Sequence, residues 1–376
     1  MELLLSDEEV SEMVGILYSF YERVPTIQDY FLERKKEKVI GLNIDELSTC
    51  LFNDHTVQPK DMEIRVDLID TSFLNTMAQI IISLPLESQI GRQICLGVKE
   101  MNTNKYLGFI KLASPVLTVR PRNEYFGTSP TPTQVNRHIV NGSIIVPTQP
   151  FGFNCLGGKL LALICGSNET RNMFNEKYGD KSDVVFMETT SLYGNIKGSS
   201  QYDGLEPYIK YQSMTESDLF LFPNDNIYFQ LRNKLRPIYG KEEWGGSLVD
   251  PKPSGPKQRE FTKIIGIIKQ HLKPNIDEYT KFNNFTKSSM KSKTKKRYYY
   301  STLGYSNVKE YVHSNGEIDL IKKPNYDNYS IERLIQYWKN KSQKRWEKLN
   351  SEDRLKTDLE VYSIDRIQNM TYDIIR

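Results

Sequence analysis

The chain has 376 residues, of which 38% are hydrophobic and 26% charged, and its formal net charge is +3. This composition is too polar for a membrane protein but provides enough apolar material for a sizeable core. No apolar run approaches the roughly 20 residues that a membrane-spanning helix needs. The leucines at the start are followed at once by three acidic residues, so the pattern of a secretory signal is missing.

The cysteines and histidines give no metal signature. Four cysteines and four histidines are scattered along the chain, without a Cys-x-x-Cys pair or a ligand spacing between the two residue types. Reduced thiols are typical of intracellular proteins. We therefore predict a cytoplasmic protein, in the host cytoplasm if a phage encodes it, with no metal and no membrane partner.

The first part of the chain, residues 1–59, is predicted to be a helical extension. Ser6 and Glu9 have the spacing of a capping box, and apolar residues then recur at helical intervals. A second short amphipathic segment covers residues 26–36, and a polar connector reaches residue 60. The opening of the chain is therefore expected to be a helix.

Residues 60–243 have the texture of a core built on strands. Residues 62–68, 77–84, 143–147, 183–188 and 208–212 are predicted strands, and residues 94–98 and 106–112 form a predicted hairpin. A glycine-bearing loop, 149–158, leads into an apolar helix from residue 160 toward 178. This order of elements predicts a βαβ-like unit within a mostly antiparallel sheet with flanking helices, a mixed α/β (α+β) fold.

Residues beyond the core form a basic and mainly helical region. We expect helices around a break at Pro223 in residues 213–240, a Gly/Pro-rich linker at 244–256, and a C-terminal region at 257–376. That region has predicted helices at 258–272 and 331–349, and a last one near Ser351. Between Lys252 and Glu310 there are 14 Lys and Arg residues against 4 acidic residues, so the positive charge is concentrated there.

The loop after Val146 is a candidate cofactor site. A strand that ends at a glycine loop before a helix directs backbone N–H groups and the helix dipole toward an anion. Gln149 and Gly152 resemble the Gln/Arg-x-x-Gly-x-Gly/Ala signature of GNAT acyltransferases, from which Asn154 departs. This resemblance implies acetyl-CoA or a related CoA donor, held by Val146, Gln149, Gly152, Asn154 and Cys155. A glycine turn without a ligand is the alternative interpretation.

A longer resemblance covers residues 100–215. Residues 107–116 (LGFIKLASPV), residues 140–147 (VNGSIIVP), Glu188 and residues 198–200 (GSS) are similar, in their order, to blocks of the Druantia A-type family of antiphage proteins. That family is similar to Mom-type phage DNA-modification proteins, which have a GNAT-like fold. The resemblance implies a GNAT-like core that acts on DNA. The chain departs from relatives at Ser143, near an expected arginine, and has no Asn-Trp pair after residue 202.

Acyl transfer needs a general base and a proton donor for the leaving thiolate. Glu188, at the end of a predicted strand, is the candidate base, and Tyr202 or Tyr193 the candidate acid. A solvated or capping glutamate is the simpler interpretation of Glu188. Cys155 stands at a helix start, where a thiolate can be activated, but no histidine lies near it in sequence.

The basic run after residue 290 is a candidate nucleic-acid interface. Cations suit phosphates, and tyrosine rings suit bases. The candidate residues are Lys291, Lys293, Lys295, Lys296, Arg297, Tyr298 and Tyr299. A solvated lysine-rich linker is the alternative.

These features lead to one main hypothesis and two alternatives. The main hypothesis is a DNA-acting, GNAT-like protein that transfers a small acyl-type group from a CoA-like donor to a DNA base amine, in a phage or in defence. The first alternative is a non-enzymatic nucleic-acid-binding protein that keeps a degenerate acyltransferase-like fold. The second is a virion structural or assembly protein, for which basic tails and scattered tyrosines are also suitable.

Overall fold

The computed structural model describes residues 5–83, 91–192, 199–215, 219–239, 257–292, 295–358 and 362–369. Its chain forms two compact units. The first comprises residues 1–37 and 218–293, and the second comprises residues 38–217 and 294–376. The linker that we expected at 244–256 lies outside the described residues.

The first unit is mainly helical. Its elements are α1 (Asp7–Arg23), α2 (Ile27–Lys38, ending at the boundary), β7 (Leu219–Phe220), α10 (Asp225–Tyr239), α11 (Lys257–Leu272), α12 (Ile276–Ser288) and β8 (Lys291–Ser292). The predicted capping box is confirmed, because the Glu9 N–H donates to Ser6 Oγ and the Ser6 N–H donates to Glu9 Oε2. α1 buries Leu17 and Phe20, and α11 buries Ile264 and Ile268, so apolar stripes at helical spacing build this core.

The second unit is built on a seven-stranded sheet of order β1-β2-β3-β4-β5-β9-β6. Its strands are β1 (Ile64–Leu68), β2 (Gln93–Glu100), β3 (Lys105–Ala113), β4 (Ile139–Pro147), β5 (Phe186–Ser191), β6 (Lys210–Met214) and β9 (Arg297–Ser301). All neighbours are antiparallel except β4 and β5, which are parallel. The expected mixed, mostly antiparallel sheet and the hairpin of residues 94–112 are therefore confirmed.

Helices flank this sheet. They are α3 (Ile44–Ser48), α4 (Thr71–Ile81), α5 (Arg120–Phe126), α6 (Pro132–His138), α7 (Phe151–Asn154), α8 (Gly157–Cys165), α9 (Asn168–Tyr178), α13 (Val308–His313), α14 (Ile331–Ser351) and α15 (Ile364–Asn369). The apolar helix α8 packs on β3 and β4 and is covered by α14. Its residues 160–165 are all buried, which explains why this segment is apolar on every side.

Several local predictions were wrong. Residues 77–81, expected as a strand, are the end of helix α4, because Asp70 caps that helix by accepting from the Ser72 and Phe73 N–H groups. The helix expected from 160 to 178 is broken after Cys165, where Ser167 caps α9. Residues 219–220, in the segment expected to be helical around Pro223, form β7 instead, and α10 begins only at Asp225. Near Ser351 α14 ends, and the next described helix begins at Ile364.

Candidate functional site

The central feature of the second unit is the separation of its two parallel strands. β4 and β5 pair only from Ile139–Phe186 to Asn141–Glu188. Beyond this point β4 stays on β3 and β5 stays on β9, so the two strands lose their mutual hydrogen bonds. Their separated ends, residues 142–147 and 190–192, line a cavity of about 850 Å³. We call this cavity the main cleft.

The main cleft has an apolar wall and a cationic rim. Ile81 and Ile82 at the end of α4, with Ile144 and Ile145 of β4, contribute apolar surface. Among the residues that the structure describes, the charged side chains that line the cleft are Lys159, Arg345, Lys356 and Asp203. Three cations against one carboxylate leave an excess of positive charge, which favours an anionic ligand.

The predicted cofactor loop borders the main cleft, but its amides are already used. The N–H groups of Gly152 and Asn154 donate to the carbonyls of Thr148 and Pro150, at 2.7 and 3.0 Å. The Phe153 N–H donates to Gln149 Oε1 at 3.1 Å. A Cβ atom at residue 152 would lie 2.5 Å from Gln149 Nε2, so a larger residue here would require the Gln149 side chain to move. Val146, Gln149 and Gly152 all line the cleft.

The two phenylalanines of this loop have different roles. Phe151 is buried and packs against Phe52 and Trp338, with ring centroids 5.9 Å away in both cases. Phe153 lines the cleft. The Arg345 guanidinium and the Lys356 ammonium lie over the Phe153 ring, 4.9 and 4.4 Å from its centroid. The loop therefore leaves the cleft open and holds two of its cations.

Asn154 and Cys155, expected to bind a cofactor, are buried and are not among the residues that line the main cleft. Asn154 is buried and binds the backbone of Lys356. The Cys155 carbonyl accepts from Trp338 Nε1 at 2.9 Å and from the Ser342 hydroxyl. Burial raises the pKa of the Cys155 thiol to about 12, although Arg345 and Ser342 oppose this shift. A thiol with that pKa stays protonated at neutral pH.

Glu188 lies at the point where β4 and β5 stop pairing, but it is buried in the sheet. Arg122 Nη1 donates to Glu188 Oε1 at 3.1 Å, and the Tyr298 hydroxyl donates to Oε2 at 2.6 Å. Burial raises the pKa of Glu188, and the nearby Arg122 charge and the Tyr298 hydrogen bond oppose this rise. Arg122 Nη2 also donates to the carbonyls of Val116 and Leu117, so the cluster fixes a turn.

Tyr202 and Asp203 form one end of the main cleft. Tyr202 is buried and lies against Tyr299, with ring centroids 5.3 Å apart. The Tyr299 hydroxyl donates to Asp203 Oδ1 at 2.7 Å, and Arg297 Nη1 lies 3.1 Å from Asp203 Oδ2. The Lys159 ammonium donates to the carbonyl of Asp203. The candidate acid Tyr202 therefore lines the cleft, whereas the candidate base Glu188 is not among its lining residues.

The basic run is divided between the two units. Lys291 is exposed on β8 of the first unit, and Lys295 is exposed in the second. Lys296 is half-buried, and burial lowers the pKa of its ammonium. Tyr298 and Tyr299 are buried in β9, and Arg297 is held by Asp203. Lys293 and Tyr193 lie outside the described residues.

Sequence reasoning missed the cations that come from the end of the chain. Arg345 lies on α14 and Lys356 follows it, about 200 positions after the loop that they contact. No sequence pattern links such distant residues. Asp203 was also missed as a residue of the cleft. Its position next to Tyr202, the candidate acid, was the sequence signal that pointed to it.

The fold and the site define a mixed α/β protein in which separated parallel strands form a cation-lined cleft. Within this class, a family model described as Druantia protein DruA matches residues 25–204. The Druantia protein DruA of Escherichia coli (strain UMEA 4076-1) is 25% identical over 176 residues, which cover 43% of each chain. Residues 25–204 are therefore similar to the DruA family, which confirms the Druantia resemblance.

The matched region spans less than half of the length of that curated relative. No solved structure matches the chain, and the likeness to GNAT acyltransferases and Mom-type proteins stays a prediction. In the part of the chain that the structure describes, no helix is long and apolar enough to cross a membrane.

Proposed function

We propose that the main cleft binds an anionic carrier of the CoA type and that the protein uses it in a DNA-directed step of antiphage defence. The observation that carries this proposal is the separation of β4 from β5, with cations at the rim of the resulting space. A parallel pair that opens in this way presents residues of both strands to one elongated ligand.

The chemistry of the lining fits the two ends of such a ligand. Arg345 and Lys356 would contact the phosphates, because guanidinium and ammonium groups make charge-assisted hydrogen bonds to phosphate oxygens. Arg345 is oriented by its own Nε, which donates to the Phe153 carbonyl at 2.9 Å. The isoleucine wall of the cleft suits an apolar arm.

The DNA-directed part of the proposal comes from the family. The matched relative is a Druantia protein, and the Druantia A-type family is the group of antiphage proteins whose blocks the sequence resembles. In the proposed reaction, an amine nitrogen of a base attacks a thioester carbonyl, the carbon–sulfur bond breaks, the nitrogen releases a proton to water, and the leaving thiolate takes a proton. Tyr202 is the proton donor that lines the cleft.

One observation favours a binding protein without transfer chemistry. Glu188, the candidate base, is buried and engaged by Arg122 and Tyr298, and a base must reach the proton that it removes. In this second candidate function, the protein retains the cleft and contacts DNA without modifying it.

Calorimetric titration with CoA tests the carrier. We expect saturable binding that Arg345→Ala weakens by about tenfold, since a charge-assisted hydrogen bond contributes about 1.5–3 kcal/mol. Lys344→Ala is the matched control, because Lys344 is exposed on the same helix and does not line the cleft. Equal affinities of both variants, or no CoA binding at all, would refute the carrier.

Mass analysis of nucleosides separates the two candidate functions. DNA from cells that express the protein should contain an acyl-type adduct if transfer occurs, and Tyr202→Phe should abolish it. Unmodified DNA together with CoA binding would support the binding protein instead.

A further inference from the structure

A second, smaller cavity adjoins the main cleft. It has a volume of about 210 Å³, and its lining includes Tyr202, Asp203, Glu206, Tyr211 and Tyr299. We call it the tyrosine pocket. Tyr202 and Asp203 line both cavities. Only Tyr202 and Asp203 would therefore separate a group held in the tyrosine pocket from a ligand in the main cleft.

Three inclined aromatic rings surround this pocket. Tyr299 stands between the other two, with its ring centroid 5.3 Å from that of Tyr202 and 5.6 Å from that of Tyr211. Tyr202 and Tyr299 are buried, whereas Tyr211 on the edge strand β6 is 41% exposed. Tyr211 therefore offers a partly exposed ring to an incoming flat group.

The chain already holds one flat, N–H-donating group beside these rings. The Arg297 guanidinium lies 4.5 Å from the Tyr211 centroid, and its Nη1 pairs with Asp203 at 3.1 Å. An aromatic face combined with a carboxylate therefore suits a planar group that carries N–H donors. A nucleobase with an exocyclic amine has the same two properties.

Glu206 is the carboxylate that remains to accept a hydrogen bond. Asp203 is occupied, because its oxygens accept from the Tyr299 hydroxyl, the Ser200 N–H and Arg297. Glu206 is exposed, and within the described residues it makes no hydrogen bond or ion pair. A carboxylate beside an open ring can recognise an amino group on a flat base.

The charges at the pocket have both signs. Its lining carries the carboxylates Asp203 and Glu206, whereas Lys210 precedes Tyr211 on β6, and Lys296 and Arg297 belong to the neighbouring segment around β9. The carboxylates would accept a cationic peptide as well as a base, but the neighbouring cations would attract the phosphates that flank a base.

We propose that the tyrosine pocket receives a single adenine or cytosine base, stacked on Tyr211, whose exocyclic amine donates to Glu206. This inference rests on the proposed function, and it identifies the acceptor as a base turned out of a strand. Thymine has a carbonyl oxygen in place of that amine, and this oxygen cannot donate to the Glu206 carboxylate and would be repelled by its negative charge.

Fluorescence anisotropy with labelled oligonucleotides of about 12 nucleotides tests this proposal. We expect the full-length protein to bind oligo-dA and oligo-dC on the order of tenfold more tightly than oligo-dT. Tyr211→Ala should weaken binding of oligo-dA and oligo-dC on the order of tenfold, and Tyr211→Phe should retain it, since stacking needs only the ring.

Glu206→Ala should remove most of the preference over oligo-dT. Glu317→Ala is its matched control, because Glu317 is an exposed glutamate that lines neither cavity. Equal binding of the three oligonucleotides, an unchanged preference in Glu206→Ala, or binding of an arginine peptide with no oligonucleotide binding would each overturn the proposal.

The CoA titration keeps this test separate from that of the proposed function. Loss of CoA binding in Arg345→Ala, together with equal affinity for all three oligonucleotides, refutes the base pocket alone. A clear base preference in a protein that binds no CoA refutes the carrier and retains the pocket.

Discussion

The side chain of Asn154 holds the backbone of Lys356 by two hydrogen bonds. Asn154 Nδ2 donates to the Lys356 carbonyl at 2.8 Å, and the Lys356 N–H donates to Asn154 Oδ1 at 2.9 Å. One amide thus satisfies a donor and an acceptor of a segment 202 positions away. Because the Lys356 side chain lines the main cleft, this pairing connects the glycine loop to the charge of the site.

Asn154→Ala should weaken both the fold and the cleft. The substitution removes both hydrogen bonds to the Lys356 backbone, each of which contributes about 0.5–1.5 kcal/mol. We expect a lower free energy of unfolding in denaturant titrations and weaker CoA binding. Asn340→Ala, at an exposed position of α14, should change neither. A destabilised variant with unchanged CoA affinity would show that Lys356 does not contribute to the carrier site.

Gly152→Ala should be destabilising because the new methyl group would crowd both Gln149 and the Pro147 ring. The new Cβ would lie 2.5 Å from Gln149 Nε2 and 2.9 Å from Pro147 Cγ, which are distances that require a shift. Overpacking of this kind costs about 1–3 kcal/mol. Gly15→Ala is the control, because nothing lies within 4 Å of its Cβ position on α1, and it should stabilise the helix by about 1 kcal/mol.

A double-mutant cycle identifies the source of that cost. In a Gln149→Ala background, Gly152→Ala should cost less than it does in the natural chain, since one of the two close neighbours is gone. Additive effects would mean that the strain comes from Pro147 or from the backbone.

The sequence predicted the strands well where their side chains follow a simple periodicity. Residues 107–110 and 144–147 are mostly apolar because β3 and β4 lie inside the sheet and are covered by helix α8. Residues 77–81 show the limit of this reasoning. A short apolar run is compatible with a buried strand and with a buried helix. Here the segment is helical, and Asp70 stabilises the start of that helix as its N-cap.

The candidate site was predicted only where it is local in sequence. Val146, Gln149, Gly152 and Tyr202 line the main cleft, but the burial of Glu188 depends on Arg122 of α5 and Tyr298 of β9. The basic run 295–299 was expected to be a nucleic-acid interface or a solvated linker, yet its residues 297–299 belong to β9, an interior strand of the sheet. Such pairings depend on tertiary contacts that periodicity and composition do not encode.

Cys155 should resist alkylation in the folded protein. Its pKa of about 12 leaves roughly one thiol in 10⁴ ionised near pH 8, and its side chain is buried. Cys50 is only half-buried and should therefore react first with iodoacetamide. Peptide mass analysis after timed labelling measures both rates. In denaturant the two cysteines should react alike, and rapid labelling of native Cys155 would contradict the pKa shift.

The buried Arg122–Glu188 pair should control stability more than any exposed pair. Glu188→Ala leaves the Arg122 guanidinium buried without its carboxylate, so we expect a loss of about 3–5 kcal/mol in the free energy of unfolding. The matched control is Glu124→Ala, which breaks the exposed pair with Arg120 on the same helix as Arg122, and should cost less than about 1 kcal/mol. Similar losses in both variants would show that burial does not strengthen the Arg122 pair.

The pH dependence of this cluster has a defined sign. The pKa of Glu188 is raised above its ordinary value of 4.5 by burial, so the folded state holds the proton more tightly than the unfolded state. Its contribution to stability is complete below pH 4.5 and is lost as pH rises through the folded pKa. Glu188→Gln cannot titrate, and the stability of the natural protein relative to this variant should therefore fall as pH rises above 4.5. Denaturant titrations at several pH values measure that difference, and a relative stability that increases with pH would mean that Arg122 and Tyr298 outweigh the burial.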